Sequence, residues 1–233
     1  MTYIKLHGVS FGYAPERLVL KTIHLTLQRG IYAIAGPNGA GKTTLLKLIA
    51  GELLPSAGEL VVAPTALCTS LDHGLPAEAH ERLSSGEQKM RQLKSALQQS
   101  SEILLLDEPE THLDAAYRRW LTRHLVSRRQ LVLMVSHDGA LLNLATRILH
   151  VENQKVRVFD SGYAAYREQL AHEREVAESA ANRAERLAKS ERLQLQQNLQ
   201  RQQKRSENAA RRAPNAGIPR VALGLMKRNA ERT

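Results

Sequence analysis

Apolar and polar positions alternate along the first third of the chain in short runs. YIKL (3–6), IHLTL (23–27) and IYAIA (31–35) read as strands. The third run is continuously apolar and breaks into a glycine-rich turn. The period then changes to that of a helix in KTTLLKLIAG, which closes on a glycine. PSAG reads as a turn, and ELVV and ALCTSL as strands on either side of Pro64. Residues 86–99 return to helical spacing, with Met90, Leu93 and Leu97 on one side. EILLLDEP is a fully apolar strand ending in carboxylates. DAAYRRWLTRHLV is a helix whose Trp120, Leu121 and Leu125 are expected to face the core. QLVLMVSHD is another buried strand, GALLNLAT a short helix, and RILHV and KVRVF a hairpin over ENQ. Strands alternating with helices predict an α/β fold with a parallel sheet covered on both faces.

The pattern changes after DSGYAAYREQ. From Ala164 to Arg212 there is no proline or glycine, and Ala, Glu, Arg and Gln dominate, which predicts one long exposed helix of roughly 70 Å. Its apolar stripe (Leu170, Ala177, Ala181, Ala184, Leu187, Leu195, Leu199) is thin and irregular, so the helix calls for a partner surface. RRAPNAGIPR ends it and VALGLMKRNAERT starts another. Two domains are expected, residues 1–160 and a helical arm over 161–233.

Charge gives the arm a meaning. The 233-residue chain has a net charge of +10, and residues 199–233 hold nine Lys and Arg against two Glu. Such concentration predicts a polyanionic partner, most simply nucleic acid. The single cysteine, Cys68, among small and apolar neighbours, reads as a buried hydrophobe in a reducing compartment. No run is long and apolar enough for a membrane span, and MTYIKLHGVSF has no signal pattern, so a soluble, cytoplasmic protein is expected.

Candidate chemistry lies at the strand ends. GPNGAGKTT follows a strand and opens a helix, the setting in which a P-loop binds phosphate. Gly36, Asn38, Gly39 and Gly41 shape a backbone cradle of N–H groups. Lys42 is placed to reach the β- and γ-phosphates, the Thr43 hydroxyl to ligate Mg²⁺, and Thr44 to complete the loop. Asp107 and Glu108 follow the apolar strand ILLL, at the carboxyl edge where open α/β sheets bind ligands. Asp107 is expected to hold Mg²⁺, directly or through water, and Glu108 to orient and deprotonate the attacking water. His137 ends a strand at the same edge, within reach of the γ-phosphate or the water.

LSSGEQ (83–88) offers Ser84, Ser85 and Gly86 at a helix start, where hydroxyls and N–H groups suit a phosphate. Ser85 with Gln88 is also a capping box. Taken in order, the P-loop, LSSGEQ, ILLLDEP, THLD and SHD resemble the ATP-binding cassette (ABC) ATPases over residues 1 to about 160. The resemblance implies a P-loop ABC-type nucleotide-binding domain that binds ATP and Mg²⁺ and hydrolyses ATP at a composite dimer interface. Its signature would face the γ-phosphate held by a second cassette, in the same longer chain or in another copy. It also implies Asp114 at that interface and Tyr13 stacked on adenine, with Phe11 the other aromatic candidate.

LDEPETHLD is close to the LDEPTNHLD of the ABC-F group and departs from it at Glu110 and Thr111, Glu110 adding a negative charge near the site. The hairpin leading into DSGYAAYREQ and a basic helical segment resembles that group's exit into its coiled-coil-like linker. This implies a soluble ATPase whose arm engages the ribosome, rRNA or tRNA, as a translation factor or in ribosome protection. Only residues 45–83 lie between the P-loop and Ser84 of the signature. About a dozen, Asp72 to Leu83, would stand where ABC transporters carry a helical subdomain, so that subdomain is expected to be much reduced. Asp72 or His73 occupies the usual glutamine position. The alternatives are a transporter ATPase subunit and a degenerate cassette that binds ATP as a switch.

Overall fold

The computed structural model describes residues 3–14, 16–62, 68–71, 85–99 and 101–212, with side chains undescribed at 68–71, 85 and 209–212. Three strands form an antiparallel sheet: β1 (Tyr3–Ala14), β2 (Arg17–Gln28) and β4 (Ala57–Val62), in the order β2-β1-β4. Six form a second sheet: β3 (Gly30–Ala35), β5 (Cys68–Leu71), β6 (Ile103–Asp107), β7 (Leu131–Val135), β8 (Arg147–Glu152) and β9 (Lys155–Phe159). Their order is β5-β6-β7-β3-β8-β9. The first five strands in that order run parallel, and β9 returns antiparallel to β8. The helices are α1 (Lys42–Ala50), α2 (Ser85–Gln98), α3 (Ala115–Val126), α4 (Gly139–Leu142) and α5 (Tyr163–Arg212).

Strict alternation along the buried strands divides the core in two. Ile103, Leu105, Leu131, Leu133, Val135, Tyr32 and Ile34 point to one face, where they meet α1 and the antiparallel sheet. Leu104, Leu106, Val132, Met134 and Ala33 point to the other, where they meet α2, α3 and α4. A continuous apolar run is what a strand covered on both faces requires. Met90, Leu93 and Leu97 are buried in α2, as are Leu121 and Leu125 in α3. Trp120 departs from expectation. It is only partly buried at the margin of the core, stacked on His124 with ring centroids 4.1 Å apart.

The opening strands are longer than their apolar pieces suggest, at 12 residues each. The buried positions of β1 are Ile4 and Leu6, then Val9 and Phe11, so the alternation changes phase at Gly8, which has φ +64°. In β2 the phase changes between Leu20 and Ile23 at Thr22, with φ +50°, whose N–H donates to Ser10 Oγ at 2.9 Å. These irregularities behave as β-bulges and hide strand continuity from a period-2 reading. The β8–β9 turn is the two residues Asn153 and Gln154, both with positive φ (50° and 65°), the conformation a tight right-twisted hairpin needs.

The chain divides into two compact units, Met1–Leu170 and Ala171–Thr233. The first includes the start of α5, because Tyr163, Tyr166 and Leu170 pack on the core at helical spacing. Tyr166 shares a 2.7 Å hydrogen bond with Nδ1 of buried His150. In the second unit α5 continues as a single helix to Arg212, exposed at every position from 174 to 208. Among the described residues no helix is long and apolar enough to cross a membrane.

Candidate nucleotide site at the carboxyl edge of the sheet

The loop between β3 and α1 is shaped by backbone that only glycine adopts easily. Gly36 has φ +143°, and a Cβ there would lie 2.1 Å from the Val151 carbonyl oxygen on the neighbouring strand. Gly41, at φ +104°, is the N-cap of α1 and provides no side-chain cap, and the first turn holds no acidic residue. The first-turn N–H groups therefore have neither an intrahelical acceptor nor a carboxylate to answer them, which is the chemistry an anion site requires. Gly39, with φ +76°, faces open space. Lys42 lies across its own loop, its Nζ donating to the carbonyls of Gly36 at 3.0 Å and Pro37 at 2.9 Å. Thr43 is exposed and Thr44 buried.

Tyr13 stands over this loop. Its hydroxyl lies 3.3 Å from Thr44 Oγ1, and its ring meets Phe11 edge to face at 5.0 Å. Tyr13 is 68% exposed and Phe11 7%, so Phe11 belongs to the core and Tyr13 presents the accessible ring.

The opposite wall comes from β6 and β7. Asp107 ends β6 and is 6% exposed. Glu108 follows at φ +44°, an uncommon conformation for a non-glycine residue, pinned by its N–H donating to the Val135 carbonyl at 2.9 Å. Glu108 Oε1 lies 3.6 Å from His137 Nε2, and Glu108 Oε2 accepts from Thr111 Oγ1 at 3.4 Å.

One cavity of about 430 Å³ gathers Tyr13, Asn38, Gly39, Gly41, Lys42, Thr43, Thr44, Glu108 and His137, with Val19 and Val135 as apolar wall. A second of about 620 Å³ adjoins it at Tyr13, Val19 and Gly39 and adds Arg17, Asn153 and Gln154. The sequence singles out neither the valines nor the hairpin tip as site residues, since apolar strand and turn positions carry no chemical signature. Gly36 and Asp107 lie outside this lining, Gly36 in the loop beneath Lys42 and Asp107 next to Glu108.

Of the signature, Gly86 is not among the residues that line the pocket. Ser84 lies outside the described residues, as do Asp72 and His73, and Ser85 is the first residue of α2. Gly86 is pressed against the loop after β6: a Cβ there would sit 2.7 Å from the His112 carbonyl oxygen. Asp114 is the N-cap of α3, accepting from the Tyr117 N–H at 2.8 Å. Glu110 does not line the cavity either; its carboxylate is engaged by the turn at 136–138.

A family profile described as ABC transporter matches residues 20–72. The ribosome protection protein VmlR of Bacillus subtilis is 32% identical over 185 residues, covering 70% of this chain and 34% of that protein. The ATP-binding protein Uup of Caulobacter vibrioides is 30% identical over 244 residues, covering 90% of this chain and 39% of its own. The chain belongs to the ABC-F group of ATP-binding cassette ATPases. Elongation factor 3 of Phytophthora infestans is also similar, 31% identical over 192 residues, with 65% of this chain and 18% of that protein covered. The chain thus spans about a third of the length of VmlR and similar relatives. As an ABC-F cassette, its core keeps the parallel sheet that carries the P-loop at one strand end and the Glu108 carboxylate at another.

Proposed function

We propose that this chain is an ATP-hydrolysing ABC-F cassette with an arm that acts on the ribosome. The observation that carries the reading is the single pocket in which the glycine cradle, Lys42, Glu108 and His137 converge. The uncapped start of α1 and Lys42 would bind the triphosphate, and Tyr13 would stack on the base. The Thr43 hydroxyl and Asp107 would hold Mg²⁺, whose charge offsets that of the phosphates. One hydroxyl and one carboxylate suit an ion that keeps waters and substrate oxygens as its other ligands. Glu108 would orient the attacking water and take its proton, and His137 would fix the water or the γ-phosphate.

Gly86 of the signature and Asp114 are not among the residues that line this pocket, which fits a role for the signature toward a second cassette, in one longer chain or in another copy. Two relatives are named for ribosome protection and elongation. The basic excess at 199–233 suits RNA phosphates. Cosedimentation with ribosomes tests the proposal. Glu108→Gln should remain bound when ATP is present, wild type should be released by hydrolysis, and binding should fall steeply with salt. Equal sedimentation under all conditions, or none, overturns the ribosome reading. The description of the matched profile favours a second reading, the ATPase subunit of a transporter, for which a membrane protein would copurify instead.

A further inference from the structure

We propose that Glu110 is the positioning residue for His137: one carboxylate oxygen fixes the turn that carries the imidazole to the pocket. Glu110 Oε1 accepts from Ser136 Oγ at 2.8 Å, from the His137 N–H at 2.6 Å and from the Asp138 N–H at 3.2 Å. Ser136 Oγ also receives the Asp138 N–H at 3.0 Å, so the three residues close around a single acceptor. Glu110 Oε2 is buried without a hydrogen-bond partner, so the carboxylate spends its bonding on this turn.

Packing does little to hold the His137 ring, whose side chain is 62% exposed. Its place must come from its backbone, and the backbone is tied to Glu110. Glu110 stands two residues after Glu108, in a tight turn where Thr111 N–H donates to the Glu108 carbonyl and Leu113 N–H to the Glu110 carbonyl, both at 3.1 Å. Glu108 and His137, 3.6 Å apart across the pocket wall, are therefore referenced to one turn. A second strut runs parallel: Arg118 donates to the Leu113 carbonyl at 3.0 Å and lies 3.7 Å from Asp138 Oδ2. Asp138 in turn caps α4 through the N–H groups of Ala140 and Leu141. The sequence departs from the ABC-F pattern at Glu110. A threonine hydroxyl there, carried on Cβ, would fall short of the donors that the longer glutamate reaches. The negative charge expected near the site is thus directed at loop donors.

The inference rests on the proposed hydrolysis, and its test separates the two. Steady-state turnover is measured for wild type, Glu108→Gln, Glu110→Ala, Glu110→Gln, His137→Ala and the double variant. Because a misplaced group costs up to about 100-fold, Glu110→Ala should lower kcat about 10-fold or more and leave KM for ATP within about twofold. Glu110→Gln keeps an acceptor oxygen and should recover to within about threefold of wild type, since it exchanges charge-assisted bonds for neutral ones. In the His137→Ala background the Glu110→Ala loss should shrink to less than about twofold, because the two residues act as one unit. A merely structural role would lower thermal stability and add its loss in the double variant. Full kcat in Glu110→Ala, or additive losses, overturns the proposal. Should wild type show no turnover suppressed by Glu108→Gln, the hydrolysis reading fails, and amide exchange decides for Glu110. The His137 and Asp138 amides should then exchange at least about 10-fold faster in Glu110→Ala, and unchanged exchange overturns the proposal.

Discussion

The two units of this chain are stabilised by different physics. In the first, every residue of β6 and β7 is buried, and alternate side chains feed two cores on opposite faces of one sheet. In the second, every residue of α5 from 174 to 208 is exposed, and Val176, Leu187, Leu193, Leu195 and Leu199 each keep more than half of their surface. The cassette is held by non-local burial, so the position of a strand-end group such as Glu108 is over-determined. The arm is held by local propensity and backbone hydrogen bonds, which fix its secondary structure but leave its apolar residues for something else to cover. Substitutions should therefore act on chemistry and global stability in the first unit, and on neither in the second.

The largest effect should fall on the pocket. Glu108→Gln removes the proposed base and Lys42→Ala the proposed phosphate-binding cation, and either should lower ATP turnover by about 100- to 1,000-fold. Circular dichroism should show both variants folded. Turnover within about tenfold of wild type for both would mean that the pocket is not the catalytic one. Next comes the core. Leu105 is fully buried on the face shared with α1, so Leu105→Ala should cost about 2–5 kcal/mol in chemical denaturation. A loss under about 1 kcal/mol would show that the two-core arrangement does not carry stability.

Smaller still is the effect of unfastening the base of α5. Tyr166→Phe leaves His150 Nδ1, buried in β8, without its 2.7 Å partner. The ring stays in place against Phe159, so the expected loss is only about 1–2 kcal/mol, for a single unsatisfied polar atom. No loss at all would indicate that water replaces the hydroxyl and that the helix base is not buried in solution.

Most of this contrast was legible in the sequence because both halves obey single-period patterns. Continuous apolar runs gave β3, β6 and β7, and unbroken helix formers gave α5. The pocket was legible for a different reason: a glycine cradle, a lysine and strand-end carboxylates are chemically distinctive, and nine of the expected residues meet in one cavity. What escaped depends on tertiary contact. The phase changes at Gly8 and Thr22 split each of the first two strands. Glu110 reads as a stray charge until the donors of residues 136–138, more than twenty positions away, are placed around it. Trp120 reads as core together with Leu121 and Leu125, yet helix packing leaves it at the margin.

The smallest effect is the sharpest test of the comparison. Leu187 and Leu195 are 66% and 61% exposed, and neither belongs to a buried cluster among the described residues. If the arm is a helix held by local forces, Leu187→Ala and Leu195→Ala should change the unfolding free energy by less than about 0.5 kcal/mol, because alanine is an equal or better helix former. The helical signal should stay the same. A loss of several kcal/mol would instead place both leucines in a buried interface in solution, and sedimentation at several protein concentrations would then show self-association that the variants abolish. A null result on stability, combined with weaker ribosome binding, would assign these residues to the partner's surface and leave the division between the two units intact.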